Sequence, residues 1–389
     1  MYLKSSKKGL LIVNLLDDKA FIFEDPKSVT IGHLLQSSSK RTILITEDDK
    51  QVPVIVCAIK NFMGDVVPAI LHPLQFDSEI NNISGNEAYM KSVIYSNYSI
   101  GRYISNCTIF ADMTNQDSYD YIEFITGIEK IFTKVDYNVS SNMNETDIDL
   151  YIQELVAINP DITLNICGVN IMLFDYILNR YPNVLINPVV SLRTLQLCPD
   201  ILNWIKQKQL RYTLLLDLSY DDYDWDINDG LCSVCVKIAN DRDLHVANKL
   251  LERGCQVKFR PVLTSKNGDF IKSLLLVSYE ELLNIPNKYR TIKINNLINS
   301  NFWGNLYLFP KGKVGYSLDY NQLFEFNQLY ERYKTDFLKG SFEWTSFRNF
   351  TKCKDCMFQY LCPAPNYLEI YLRENNLIEC LLSNEKISS

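Results

Sequence analysis

Basic charge is in short supply in this chain: 39 Lys and Arg face 46 Asp and Glu across 389 residues, a formal net charge of −7. That balance argues against non-specific nucleic-acid binding, because holding phosphates needs a basic footprint. Long hydrophobic runs are missing too. No stretch approaches the roughly 18 apolar residues that a membrane-spanning helix requires, so no membrane partner is expected. The N-terminus, "MYLKSSKKGLLIVNLLDDKAF", is basic and then apolar, but its apolar run covers only Gly9 to Leu16 and ends at Asp17 and Asp18 with no small-residue cleavage site. It reads as a first strand, not a signal peptide, and a cytoplasmic location is expected. Histidine is scarce: there are only His33, His72 and His245, none beside a cysteine or carboxylate in a recognisable catalytic spacing. His245, within "DRDLHVANKLL", reads as part of a helix surface or a helix–barrel contact. There is no internal repeat and no low-complexity stretch.

What is present is the composition of a folded protein. Apolar residues make up 47% and charged residues 22%, and 24 Tyr with 19 Phe need burial or use, which excludes extended disorder. A chain of this length exceeds one ordinary core, so two or three domains are expected. Residues 1–95 read as a small α+β module of the size of a peptide-binding one: strands "KGLLIVNL" and "KAFIFE", a helix near Thr30–Gln36, then strands "RTILIT" and "QVPVIVC". From residue 96 to 299, short apolar runs alternate with amphipathic ones. Strands are expected at 106–113, 161–167, 183–190, 211–218, 231–238 and 255–263. Helical patterns follow in "SYDYIEFITGIEKIF", "IMLFDYILNRY", "TLQLCPDILNWIKQKQ" and "DLHVANKLLERG". Repeated β and α units imply an α/β fold with a parallel sheet, and their number favours a partial (β/α) barrel with ligand sites at the C-terminal strand ends. Residues 300–389 open with a hairpin, "FWGNLYLFPKGKVGYSL", turning at Pro310-Lys311-Gly312, with a helix near 320–335 after it.

Eleven cysteines are unevenly placed, and four crowd one segment, "TKCKDCMFQYLCPAPNYLEIYLRENNLIEC". Cys353, Cys356, Cys362 and Cys380 are spaced C-x2-C-x5-C-x17-C. In a reducing cytoplasm such a group points to metal rather than disulfides. Zinc and a [4Fe–4S] cluster both accept four thiolates, so ligand identity does not decide between them. A zinc ribbon normally repeats its x2 knuckle, and here the second half does not. Cys57, Cys107, Cys167, Cys198 and Cys255 read as ordinary buried thiols. So do Cys232 and Cys235, which a strand's alternation sends to opposite faces. The acidic run "DLSYDDYDWDIND" (217–229) reads as a solvated loop.

The cysteine segment resembles the C-terminal SPASM domain of radical-SAM peptide maturases. The full family pattern is C-x2-C-x5-C-x3-C with a distant Cys, and its seven cysteines bind two auxiliary [4Fe–4S] clusters. Asn366 stands where the x3 cysteine belongs, and the "YLFPKGKVGY" hairpin resembles the strand pair opening that domain, without its two upstream cysteines. The resemblance implies one auxiliary cluster on Cys353, Cys356, Cys362 and Cys380, with the inner cluster lost. It also implies a catalytic C-x3-C-x2-C after the first barrel strand, but there the chain reads "TNQDSYDY", without cysteine. The family's Gly-Gly-Glu stretch, which contacts the amine of S-adenosylmethionine, corresponds to Cys167-Gly168-Val169-Asn170, without a carboxylate. The chain is thus most similar to the pseudo-radical-SAM/SPASM proteins of Bacteroidales peptide-modification systems. That implies a degenerate partial barrel with a SPASM-like iron–sulfur domain and a pseudoenzyme that does not use S-adenosylmethionine. The implied partners are a radical-SAM maturase, its precursor peptide, or both. Electron transfer to a partner enzyme and a zinc-stabilised barrel binding protein are the alternatives.

Overall fold

The apolar runs of the middle of the chain become the strands of one sheet. A computed structural model describes residues 2–7, 9–13, 19–24, 43–44, 70–71, 104–129, 143–168, 170–219, 230–318, 322–329, 331–332, 344, 348 and 350–382. Three N-terminal strands, β1 (Tyr2–Ser6), β2 (Gly9–Val13) and β3 (Ala20–Phe23), form an antiparallel sheet with β2 in the middle. Gly9 is needed at the first turn, because a Cβ there would stand 2.6 Å from the Phe23 carbonyl oxygen. Two short strands, β4 (Ile43–Leu44) and β5 (Ile70–Leu71), pair antiparallel. The helix expected near Thr30–Gln36, the strand "QVPVIVC", Cys57, His33, His72 and residues 220–229 of the acidic run lie outside the described residues.

The main sheet has nine strands in the order β11-β10-β9-β8-β7-β6-β12-β13-β14. Six of them, β6 (Asn106–Phe110), β7 (Thr163–Cys167), β8 (Leu185–Ser191), β9 (Tyr212–Leu216), β10 (Cys232–Ile238) and β11 (Gln256–Pro261), run parallel in chain order. Five lie inside a stretch where the sequence places a strand, and β8 runs one residue past its stretch, to Ser191. Then β12 (Asn305–Phe309) adds parallel to β6 and turns through Pro310–Gly312 into antiparallel β13 (Lys313–Gly315), followed by β14 (Phe324–Glu325). The expected hairpin therefore forms, and it extends the central sheet. The two ends of the sheet, β11 and β14, do not pair with each other.

The helices divide between the two faces of this sheet. On one face the core takes Ile109, Leu164, Leu214, Val234 and Leu308 from the strands. Against them pack Ile148, Ile152 and Leu155 of α2 (Glu145–Ile158), Phe174 and Ile177 of α3 (Ile171–Arg180), and Leu192 and Leu195 of α4 (Leu192–Leu197). Ile205 of α5 (Pro199–Gln207) and Ala247 and Leu250 of α6 (Asp241–Glu252) complete that layer. The break between α4 and α5 falls at Cys198-Pro199, where proline has no N–H to continue the helix and serves as its first residue instead.

The other face carries Phe110, Cys167, Val189, Leu215, Cys235 and Phe309, and α1 (Gln116–Thr126) lies over it through Ile122 and Phe124. This helix packs against β7, β8, β9 and β11. In a (β/α) barrel every helix lies on the outside; here the first one covers the face opposite to α2, α3, α5 and α6. Asn115 caps α1 by accepting from the Asp117 N–H, and Gly127 ends it at φ +71°. Then come α7 (Gly268–Leu275), α8 (Tyr279–Leu283) and α9 (Lys288–Leu297), and, in the cysteine segment, α10 (Thr351–Lys354) and α11 (Tyr367–Glu374). The last of these packs against α1, placing the cysteine segment near the same face. Of the helix expected near 320–335, the described residues include the 3-10 turn Phe326–Gln328 and, after it, helical Leu329, Glu331 and Arg332. None of the described helices is long and apolar enough to cross a membrane.

Candidate metal centre

Three of the four cysteines follow one another through tight turns. Cys353 sits in α10, and the Cys356 N–H donates to the Cys353 carbonyl at 3.1 Å, closing the turn between them. The Cys362 N–H donates to the Phe358 carbonyl at 2.9 Å. Cys380 arrives from the far end of α11. It is held where the Val277 N–H donates to the Leu381 carbonyl, and the Leu382 N–H lies 3.4 Å from the Cys380 Sγ. Lys352 and Glu379 form an ion pair that ties the two ends of the segment together.

These thiols sense one another. Burial pushes the Cys362 thiol up to about 12; the Arg348 guanidinium opposes that, and Cys356, Cys380 and Cys353 each add to the rise. Tyr279 is raised by its own burial and then by Cys356 and Cys380. The four cysteines that the spacing groups together all have free thiols. Cys353 and Cys362 are buried, Cys356 half-buried and Cys380 exposed. Among the described residues no three His, Cys, Asp or Glu side chains stand close enough to chelate one ion.

The loop between Tyr360 and Pro365 is held by side chains from distant parts of the chain. Asn295 of α9 donates from Nδ2 to the carbonyls of Tyr360 at 2.8 Å and Cys362 at 3.1 Å. Just beyond the helix, Asn299 donates to the Pro365 carbonyl and Asn301 to that of Ala364. Arg348 Nε donates to the Pro363 carbonyl at 2.8 Å. Two prolines in this loop bring no N–H of their own, so its carbonyls are satisfied from outside. Asn366, where the family pattern has a cysteine, caps α11 by accepting from the Glu369 N–H at 2.8 Å.

Beneath the loop lies a buried charge group. Arg348 makes a two-pronged pair with Glu369, at 2.8 and 3.0 Å, and Arg373 donates to the same carboxylate at 2.8 Å. Burial works against the Arg348 charge, but Glu369, then Cys362 and Cys353, hold it above its ordinary range. On the other side, Leu11 and Val13 of β2 join Met357, Phe358, Leu361 and Cys362 in one hydrophobic cluster. Lys4 lies 5.5 Å above the Tyr360 ring.

The remaining described cysteines stay apart from this group. Cys107, Cys167, Cys232 and Cys235 are buried in the main sheet, with Cys232 and Cys235 on opposite faces. Burial alone raises Cys107. Cys255 is half-buried, whereas Cys198, expected to be buried, is exposed at the α4–α5 junction. His245 is exposed on α6.

The C-terminal strand ends also carry charge. Lys237 bridges Glu123 of α1 at 2.6 Å and Asp217 after β9 at 2.9 Å. Its burial opposes the charge, and the two carboxylates outweigh it and hold the ammonium above its usual range. Asp117 accepts from the Ser191 N–H and the Thr194 hydroxyl. At Gly168, with φ +83°, a Cβ would stand 2.9 Å from that of Asp112. Comparison of the chain with protein-family models, curated proteins and solved structures finds no match.

Proposed function

We propose that the chain is a non-catalytic, radical-SAM-like accessory protein holding one auxiliary [4Fe–4S] cluster on Cys353, Cys356, Cys362 and Cys380. In this reading the parallel sheet is a degenerate partial (β/α) barrel and residues 300–389 are a SPASM-like domain. The protein would assist a partner maturase in modifying a ribosomally made peptide, by binding the precursor, the maturase or both.

The observation that carries the reading is the C-x2-C-x5-C-x17-C spacing, with Cys353, Cys356 and Cys362 carried on consecutive tight turns. Four neighbouring thiolates repel one another unless a cationic centre neutralises them, and a metal deprotonates its thiols outright. Spacing bears on which centre. A single zinc ion with 2.3 Å bonds and tetrahedral angles needs sulfurs about 3.8 Å apart. A cubane places each thiolate on its own iron and so accepts a wider set. The C-x2-C-x5-C-x17-C spacing, without a second x2 knuckle, suits the wider set. With all four irons ligated by cysteine, such a cluster supplies electron storage without an open coordination site.

The chain's own residues supply the frame. Asn295, Asn299, Asn301 and Arg348 fix the loop, and the Leu382 N–H faces the Cys380 sulfur. At the other site, the chain offers no cysteine between Met113 and Ile166, and α1 lies over the sheet face there. Both features support a non-catalytic role.

Cys362→Ser and Cys380→Ser tests the assignment: each is expected to lose iron and sulfide after anaerobic purification, whereas Cys198→Ser keeps both. Pull-down with a radical-SAM maturase and a precursor peptide tests the accessory role, which fails if neither is captured.

A further inference from the structure

Cys353 and Cys356 are brought together by their own backbone. Lys354 ends α10, and Asp355 follows with φ −95° and ψ 7°, the angles of the third residue of a type I turn. The Cys356 N–H closes that turn on the Cys353 carbonyl at 3.1 Å, while the N–H groups of Cys353 and Lys354 both donate to the Phe350 carbonyl. A turn of this kind holds its first and last Cα atoms within about 7 Å. A disulfide spans about 4.4–6.8 Å between Cα atoms, so the backbone already holds this pair within reach of an S–S bond.

Among the described residues of the segment, no other pair of thiols is closed by such a turn. Between Cys356 and Cys362 lie two further ones, the Gln359 N–H donating to the Cys356 carbonyl at 3.2 Å and the Cys362 N–H to the Phe358 carbonyl at 2.9 Å. Cys380 comes from the far end of α11, where its Sγ faces the Leu382 N–H. Access to the pair is uneven. Cys356 is half-buried and Cys353 only 6% exposed, so a reagent from solvent meets Cys356 first.

We propose that Cys353 and Cys356 form a redox-responsive dithiol that exchanges with low-molecular-weight disulfides of the glutathione class. The Cys356 thiolate attacks one sulfur of the oxidant, forming a mixed disulfide and releasing one thiolate. The Cys353 thiolate then attacks the Cys356 sulfur, forming the Cys353–Cys356 bond and releasing the second. Two protein thiols give up two electrons and two protons, and one disulfide of the oxidant becomes two thiols. Inside cells such bonds are mostly transient and redox-sensing, and strained or exposed disulfides are the labile, regulatory ones. This exchange goes beyond the cluster reading and does not rest on it. Thiols bound to a metal cannot exchange, so the chemistry belongs to the metal-free chain.

The test uses the full chain, stripped with a chelator and equilibrated with oxidised and reduced glutathione at several ratios, then alkylated and weighed intact. The expected product is lighter by two hydrogen atoms. Alkylation of Cys356 is expected to slow roughly tenfold or more and to recover with dithiothreitol. Cleavage after Lys354 puts the two cysteines on separate peptides, which stay joined only where this bond has formed. Cys353→Ser is expected to accumulate the mixed disulfide on Cys356, whereas Cys356→Ser forms neither product; that asymmetry separates ordered exchange from a structural effect of losing either thiol. Cys198→Ser changes nothing. Thiols that stay reduced in oxidised glutathione, pair at random, or join through Cys362 or Cys380 overturn the inference. Iron measured before chelation bears on the cluster reading alone: a chain that lacks iron but forms this bond overturns the cluster and leaves the dithiol standing, and an iron-loaded chain that fails to form it after chelation does the reverse.

Discussion

Asp120, one turn into α1, shows how the sheet's charged edge responds to pH. Burial is the largest cause raising it to about 6; the Gln116 hydrogen bond opposes, and Asp117, Glu123 and Asp217 add to the rise. A folded value above the unfolded one, near 3.9, means the folded state binds the extra proton between about pH 4 and 6. The stabilisation is therefore present below about pH 4 and is lost as pH rises through 6. Asp120→Asn is expected to stabilise the protein at pH 7 by on the order of 1–2 kcal/mol, and scarcely at pH 4, after allowing for its partial exposure. Urea denaturation at the two pH values measures this, and equal effects at both would contradict it. At the same scale, the residues that fix the cysteine loop were invisible in the sequence. Asn295 lies 65 positions from Tyr360 and is an ordinary polar residue of α9 until the fold brings it there. Arg348 and Glu369 likewise acquire meaning only as partners. By contrast, Cys353, Cys356, Cys362 and Cys380 stand out in the sequence as a candidate group by their spacing alone.

Elements were legible where a local pattern decided them. The central parallel strands are short apolar runs, and burial on both faces leaves no other role for "YTLLL" or "CSVCVKI". The helix α2 has a weaker local signal, though Asn144 caps it and Ile148, Ile152 and Leu155 recur at helical spacing. The strand β1, "YLKSS", has no such signal and takes its form from pairing with β2. Which face of the sheet a helix takes is a tertiary matter, so the position of α1 could not be read in advance. Two substitutions probe these elements. Gly168→Ala, at φ +83° and against Asp112, is expected to cost about 1–3 kcal/mol in thermal or chemical unfolding. Asn295→Ala leaves the Cys362 carbonyl without its donor and is expected to cost about 1–3 kcal/mol. It should also reduce iron content, which a change in stability alone, at temperatures well below melting, would not.

Across the whole molecule, the two ends of the chain meet at the cysteine segment. Leu11 and Val13, near the N-terminus, share a core with Met357, Phe358 and Leu361. This places the N-terminal sheet as a cover for the candidate centre, a relation that no reading of separate domains contains. Leu11→Ala is expected to destabilise the fold by about 2–5 kcal/mol and to speed loss of iron in air, with the visible absorbance followed over time. An unchanged rate of loss would separate the N-terminal sheet from the centre. On the other side, Arg348, Glu369 and Arg373 join that segment to α11, which in turn packs on α1. The candidate centre is thus braced from three directions by the rest of the protein.

The most direct measurement is the iron, acid-labile sulfide and zinc content of the full chain purified without oxygen. About four irons and four sulfides per chain, lost together in Cys362→Ser, is the expected result. One zinc per chain with no iron or sulfide would contradict it.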